Sequence, residues 1–125
     1  MNKRLAAIRG ATCVTNTKED ITKWVCQMCN EIVEKNNLTA QDIVSIQFTV
    51  TKDITKLNPA TALRNGDMKI NVSAIPLFCA LEPEMEGSLE SVIRVLVHCY
   101  MNEFSNRHNV YINGAERLRP DFFDN

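Results

Sequence analysis

Between Thr17 and Asn36 the apolar residues Ile21, Trp24, Val25, Met28, Ile32 and Val33 recur at steps of three and four. That period puts them on one face of an amphipathic helix. Thr17 can cap its start, with Asp20 at the third position as a shortened capping box, and Asn36-Asn37 can stop it. The pattern then changes to strict alternation. From Ile43 to Thr51, Val44, Ile46, Phe48 and Val50 face one way and Ser45, Gln47, Thr49 and Thr51 the other, which predicts a half-buried strand. Leu89 to Tyr100 fits a helical stripe as well, but its load of β-branched residues favours a strand from about Val92.

Weaker signals complete the set. Leu5–Thr12 reads as a first strand, with Gly10 permitting close backbone approach near its end. Pro59–Leu63 predicts a short helix with proline in its first turn. Ser73–Ala80 reads as a strand in which Pro76 implies an edge or a bend. Val110–Ile112 starts a last strand, turned by Asn113-Gly114. The sum is a single α+β domain over residues 1–125, about five strands with the long helix packed on one sheet face.

Composition narrows the class. The chain of 125 residues is 45% hydrophobic and 23% charged, enough for one core. A net charge of −1 argues against a nucleic-acid binder. The apolar runs are too short to span a bilayer, so no membrane partner is expected. Five cysteines and no secretory h-region point to reduced thiols in the cytoplasm.

Cys26 and Cys29 spell C-x-x-C, but they lie inside the helix and have no second pair for zinc, so packing is the expected role. His98 and His108 lack spaced ligand partners and a nucleophile. No metal or cofactor is expected. Arg94 is different. It sits in Val92-Ile93-Arg94-Val95-Leu96-Val97, and a guanidinium keeps its charge and is costly to bury unpaired. Two readings stay open: an internal salt bridge to Glu82, Glu84 or Glu86, or a cation kept for an anionic ligand. Arg9 at the end of the first strand and Arg64 after the short helix add cations suited to a compound with several carboxylates or phosphates.

Taken in order, Ile8-Arg9-Gly10-Ala11-Thr12, Asp42-Ile43-Val44-Ser45-Ile46, Pro59-Ala60 with Ala62 and Arg64, Pro76 with Cys79 and Glu82, Gly87-Ser88-Leu89, Ile93-Arg94-Val95, Val110-Tyr111 and Leu118-Arg119-Pro120-Asp121 resemble the small monofunctional chorismate mutases of the trimeric α/β class. The resemblance implies a mixed sheet in a barrel-like homotrimer with sites between subunits. It also implies conversion of chorismate to prephenate, a pericyclic step without proton transfer or covalent intermediate. It places Arg94 beside the ether oxygen, Glu82 on the ring hydroxyl and Cys79 close to that hydroxyl. Arg9 and Tyr111 would hold the side-chain carboxylate. Arg64 would lie at the mouth with Ala60 and Thr61, and Leu118 and Arg119 would help close the site.

The chain departs from the family's pattern at the entrance. Asn58 stands where an aromatic is usual, Thr61 where a lysine is frequent, and no tryptophan follows in Asn65–Asn71. Pro83 directly after Glu82 is also unusual. A non-catalytic sensor of a dicarboxylate on the same scaffold is therefore the competing expectation. A trimeric imine deaminase is a third, opposed by the Cys79-Glu82 pair and the Leu118–Asp121 ending.

Overall fold

The computed structural model describes residues 2–123. Five strands form one mixed sheet: β1 (Lys3–Cys13), β2 (Ile43–Val50), β3 (Leu77–Leu81), β4 (Val92–Asn102) and β5 (Val110–Ile112), in spatial order β3-β2-β4-β1-β5. β4 is central and antiparallel to both β1 and β2, while β3 and β5 add parallel strands at the two edges. The long helix α1 (Lys18–Lys35) and the short helix α2 (Pro59–Asn65) pack together over one face.

The two faces differ because each strand alternates. Ile8 of β1, Ile46 and Phe48 of β2, and Ile93, Val95, Val97 and Cys99 of β4 are buried, as are Ile21, Val25, Met28 and Ile32 of α1. This is the main core, built from the helical stripe and the strand alternation that the sequence displays. The side chains between them, including Gln47, Thr49, Arg94, Leu96 and Arg9, stand on the other face, which neither α1 nor α2 covers.

Three expectations need correcting. Val44 is exposed, not on the apolar side with Ile46: the β2–β4 register shifts between Ile43 and Ser45, so Ile43 enters the core and Val44 takes up the irregularity. The strand expected from Ser73 begins at Leu77, and the chain turns before it, with the Ile75 amide bonded to the Val72 carbonyl. Pro76 cannot donate to a ladder, but its carbonyl accepts from Ile46, and β3 is an edge strand. The start of α1 follows Thr17, whose hydroxyl accepts from the Asp20 amide at 3.0 Å. The Asp20 carboxylate reaches the Thr15 amide instead of closing a box on Thr17.

Gly10 is required sterically. A Cβ there would lie 2.8 Å from the Val110 carbonyl oxygen, 3.0 Å from Val95 Cγ1 and 3.2 Å from Ile32 Cδ1. It is the point where α1 and two neighbouring strands close on β1. The cysteines are all free. Cys26 and Cys29 are buried, with the Cys26 thiol directed to the Ala62 carbonyl at 3.8 Å, so C-x-x-C packs α1 against α2 and the core.

Two outcomes follow from this packing. Gly10→Ala should cost about 1–3 kcal/mol, the usual range for overpacking, read as a lower urea midpoint; an unchanged midpoint would mean the β1–β5 contact yields freely. Burial pushes the thiol of Cys99 up to about 11 and that of Cys29 higher still. Titration of the native protein with an aromatic disulfide should therefore label Cys13 and Cys79 first and reach Cys26, Cys29 and Cys99 only on unfolding. Early labelling of Cys29 would contradict the packing.

Candidate active site

The uncovered face is concave between β1, β2, β3 and β5, and holds a cleft of about 380 Å³. Register explains which side chains meet there. Thr49 and Ala11 are the partners of Arg94 on the two sides of β4, and Ala80 is the partner of Thr49 on β3. One row along, Arg9, Leu96, Gln47 and Phe78 line up in the same way. Alternation sends both rows to one face. Tyr111 pairs with Ala11 and closes the β5 side, and Arg119 adds a cation from the C-terminal segment.

At the centre, Arg94 Nε lies 2.7 Å from Glu82 Oε1. The same carboxylate oxygen accepts a hydrogen bond of 2.9 Å from the Thr49 hydroxyl. The Glu82 amide donates to the Val50 carbonyl at 2.8 Å, so its backbone is tied to the strand that carries Thr49. Of the two readings open for Arg94, the salt bridge is therefore real, and Glu82 is its partner. The side chain of Arg94 is nonetheless 42% exposed, against 22% for Glu82, and both line the cleft. A pair this accessible is worth little to stability. Its position in a concavity makes it useful to a ligand.

Among the described residues, the guanidiniums of Arg9, Arg94 and Arg119 and the carboxylate of Glu82 line this cleft. Arg119 is bonded to Asp121 through Nε at 3.1 Å and a second nitrogen at 2.7 Å. Burial pushes the Tyr111 phenol above its ordinary range, although Arg9, Arg119 and Arg94 each pull the other way. At neutral pH the phenol is consequently a neutral donor beside cations, an arrangement that suits carboxylates. Among the described residues no group of three His, Cys, Asp or Glu is placed to hold a metal ion.

The other residues singled out from the sequence divide. Arg9, Glu82, Arg94, Tyr111 and Arg119 come together in the cleft. The Cys79 side chain packs against the main core, while its neighbours Phe78 and Ala80 face the cleft. Leu118 packs against the small cluster of Ala11, Val92, Tyr111 and Ala115 and lines a neighbouring concavity shared with Arg94. Ala60, Thr61 and Arg64 ride on α2 and do not line this cleft. Asn58 is the cap of α2, its side chain accepting from the Ala60 amide at 2.8 Å. Lys69, in the segment that follows α2, is paired with Glu34 of α1. Sequence reasoning missed Gln47, Thr49, Phe78 and Leu96. The polar alternation of β2 was the signal for Gln47 and Thr49.

Comparison with known proteins identifies the family. Residues 5–122 match the family described as chorismate mutase type I. A chorismate mutase of Thermus thermophilus is 36% identical over 117 residues, covering 91% of this chain and 93% of the relative. One from Bacillus subtilis strain 168 is 32% identical over 120 residues, covering 94% and 91%. The solved chorismate mutase of Clostridium thermocellum is 41% identical, with a TM-score of 0.79 over 90% of this chain and 99% of that one. The expected α+β fold with a mixed five-stranded sheet matches that solved structure, and the chain belongs to the type I chorismate mutase family.

Proposed function

We propose that this chain is a chorismate mutase whose cleft rearranges chorismate to prephenate with Arg94 and Glu82 as the catalytic pair. The carrying observation is the fixed guanidinium and carboxylate, 2.7 Å apart, on the wall of a cleft rich in arginine. In the reaction the ether C–O bond breaks ahead of C–C bond formation. Negative charge grows on the ether oxygen and positive charge on the ring. Arg94 engages Glu82 through Nε, leaving its Nη groups for the ether oxygen. Glu82 Oε1 already serves Arg94 and Thr49, so Oε2 accepts from the ring hydroxyl and favours the ring's positive charge. A charge pair held in advance stabilises this separation without reorganising during the step.

Arg9 and Tyr111 bind the side-chain carboxylate, with Arg119 beside them, which restrains the flexible arm over the ring. Cys79 acts through β3, the strand that carries Ala80 and leads into Glu82. Leu118 supports the Tyr111 wall. Ala60, Thr61 and Arg64 belong to the mouth, and since they lie outside this cleft a neighbouring copy supplies them. The working enzyme is then a homotrimer with sites at its subunit interfaces. Exposure of Leu5, Phe78 and Tyr100, which strand alternation puts on the cleft face, supports a partner over this side of the molecule. The step is unimolecular and needs no cofactor. The five free thiols suit the cytoplasm.

Purified protein should speed the decay of chorismate absorbance, with prephenate as product, in the presence of a chelator. Chorismate binding by calorimetry without turnover would restore the sensor reading. Arg94→Ala should lower kcat by about 10²–10³, the scale for losing one transition-state charge contact, with an unchanged thermal melt; retained kcat would remove Arg94 from its role. Thr61→Lys should lower KM a few-fold, roughly, at low salt and lose this advantage at high salt, as charge steering does. A KM that does not move would mean the entrance charge is supplied elsewhere.

A further inference from the structure

The loop between Glu82 and Arg94 carries one catalytic group at each end. Among the described residues, its exposed middle is tied only by an ion pair of Glu84 with Lys52 and a turn from the Ser88 amide to the Met85 carbonyl. Pro83–Ser88 are exposed, and Gly87 has φ +80° with nothing within 4 Å of a hypothetical Cβ. The Glu82 end is anchored to β2 through Val50 and Thr49. The Arg94 end is anchored by the segment just after β2. Asp53 accepts two hydrogen bonds from Ser91, one from its backbone amide at 3.2 Å and one from its hydroxyl. Ser91 has φ +58°, a left-handed conformation that a serine adopts only where its surroundings enforce it. Beside it, the Thr51 amide donates to the Val92 carbonyl at 3.1 Å, and the Val92 amide donates to the Thr51 hydroxyl at 3.0 Å. The Ser91 carbonyl accepts from Val14 at 3.0 Å. The β2–β4 ladder then runs Val50 with Ile93 and Thr49 with Arg94.

We infer that Asp53 is a positioning residue for catalysis: its clasp on Ser91 sets the backbone from which Arg94 projects, and so the distance between Arg94 and Glu82. It lies outside the cleft holding that pair and touches no reacting atom. Its effect passes through Ser91 and Val92 to Arg94. Burial opposes the Asp53 charge, but bonds from Ser91 and Thr51 outweigh it and hold the carboxyl below its ordinary range. The clasp is therefore closed at neutral pH. The functional consequence rests on the chorismate mutase reading above; the geometric one does not.

Asp53→Ala should lower kcat by on the order of tenfold to a hundredfold, the effect of a catalytic group displaced by about 1 Å. KM should stay within about twofold, because Arg9 and Tyr111 are untouched. Asp53→Asn should recover most of kcat, its amide oxygen accepting from the Ser91 amide and its NH2 donating to the Ser91 hydroxyl. In parallel, the Nε–H resonance of Arg94, assigned by its loss in Arg94→Lys, should shift or broaden in Asp53→Ala and return in Asp53→Asn. A folded Asp53→Ala protein with wild-type kcat and an unmoved Arg94 resonance would overturn the inference. So would an Asn variant no better than Ala. If the wild type converts no chorismate, the functional reading fails on that result alone, and the Arg94 resonance still decides whether Asp53 positions the guanidinium.

Discussion

A guanidinium and a carboxylate held 2.7 Å apart on the uncovered face of a sheet are the constraint on which the site depends. Arg94 could not be there if β4 were shifted by one residue, because it would then point into the core occupied by Ile93 and Val95. The buried residues on the helix side therefore specify the chemistry on the other side. Gly10, closed on by α1, β4 and β5, belongs to the same device, since it lets β1 lie close enough for Arg9 to border the cleft.

The division between scaffold and site is one of strand faces. The helix face holds a dry, apolar core. The cleft face holds Arg9, Arg94, Gln47, Thr49 and Glu82, a polar set whose arrangement is imposed by hydrogen-bond register. Arg94 and Glu82 form a fixed dipole. Because the rearrangement separates charge in a defined direction, a dipole oriented before the reaction is of more use than a single buried cation. The accessible placement of the pair costs little desolvation in the free chain, and a bound substrate or a partner subunit would strengthen it by excluding water.

Much of this could be read from the residues, and the failures have causes. α1, β2 and β4 were legible because long periodic segments leave few alternatives, and β-branched content decided Val92–Tyr100. Val44 was misplaced because a register shift leaves alternation in the sequence intact while changing which residue turns inward. β3 was drawn too long because Ser73–Pro76 has apolar spacing but turns on its own hydrogen bonds. Arg94 and Glu82 were recognised as partners or as separate ligand contacts; the structure makes them partners in a shared cleft. Phe78 and Leu96 were not singled out, since nothing local marks a side chain that matters through its cross-strand neighbours. Asp53 and Ser91 are 38 positions apart, and the left-handed backbone of Ser91 has no signature in a serine.

The central claim is that Arg94 stabilises separated charge in the transition state more than it binds substrate. Calorimetric affinities of the wild type and Arg94→Ala test it directly, measured for prephenate and for a bicyclic ether dicarboxylate that mimics the transition state. The account predicts a far larger loss of affinity for the mimic than for prephenate. Equal losses for the two ligands would show that Arg94 binds uniformly, and would contradict it.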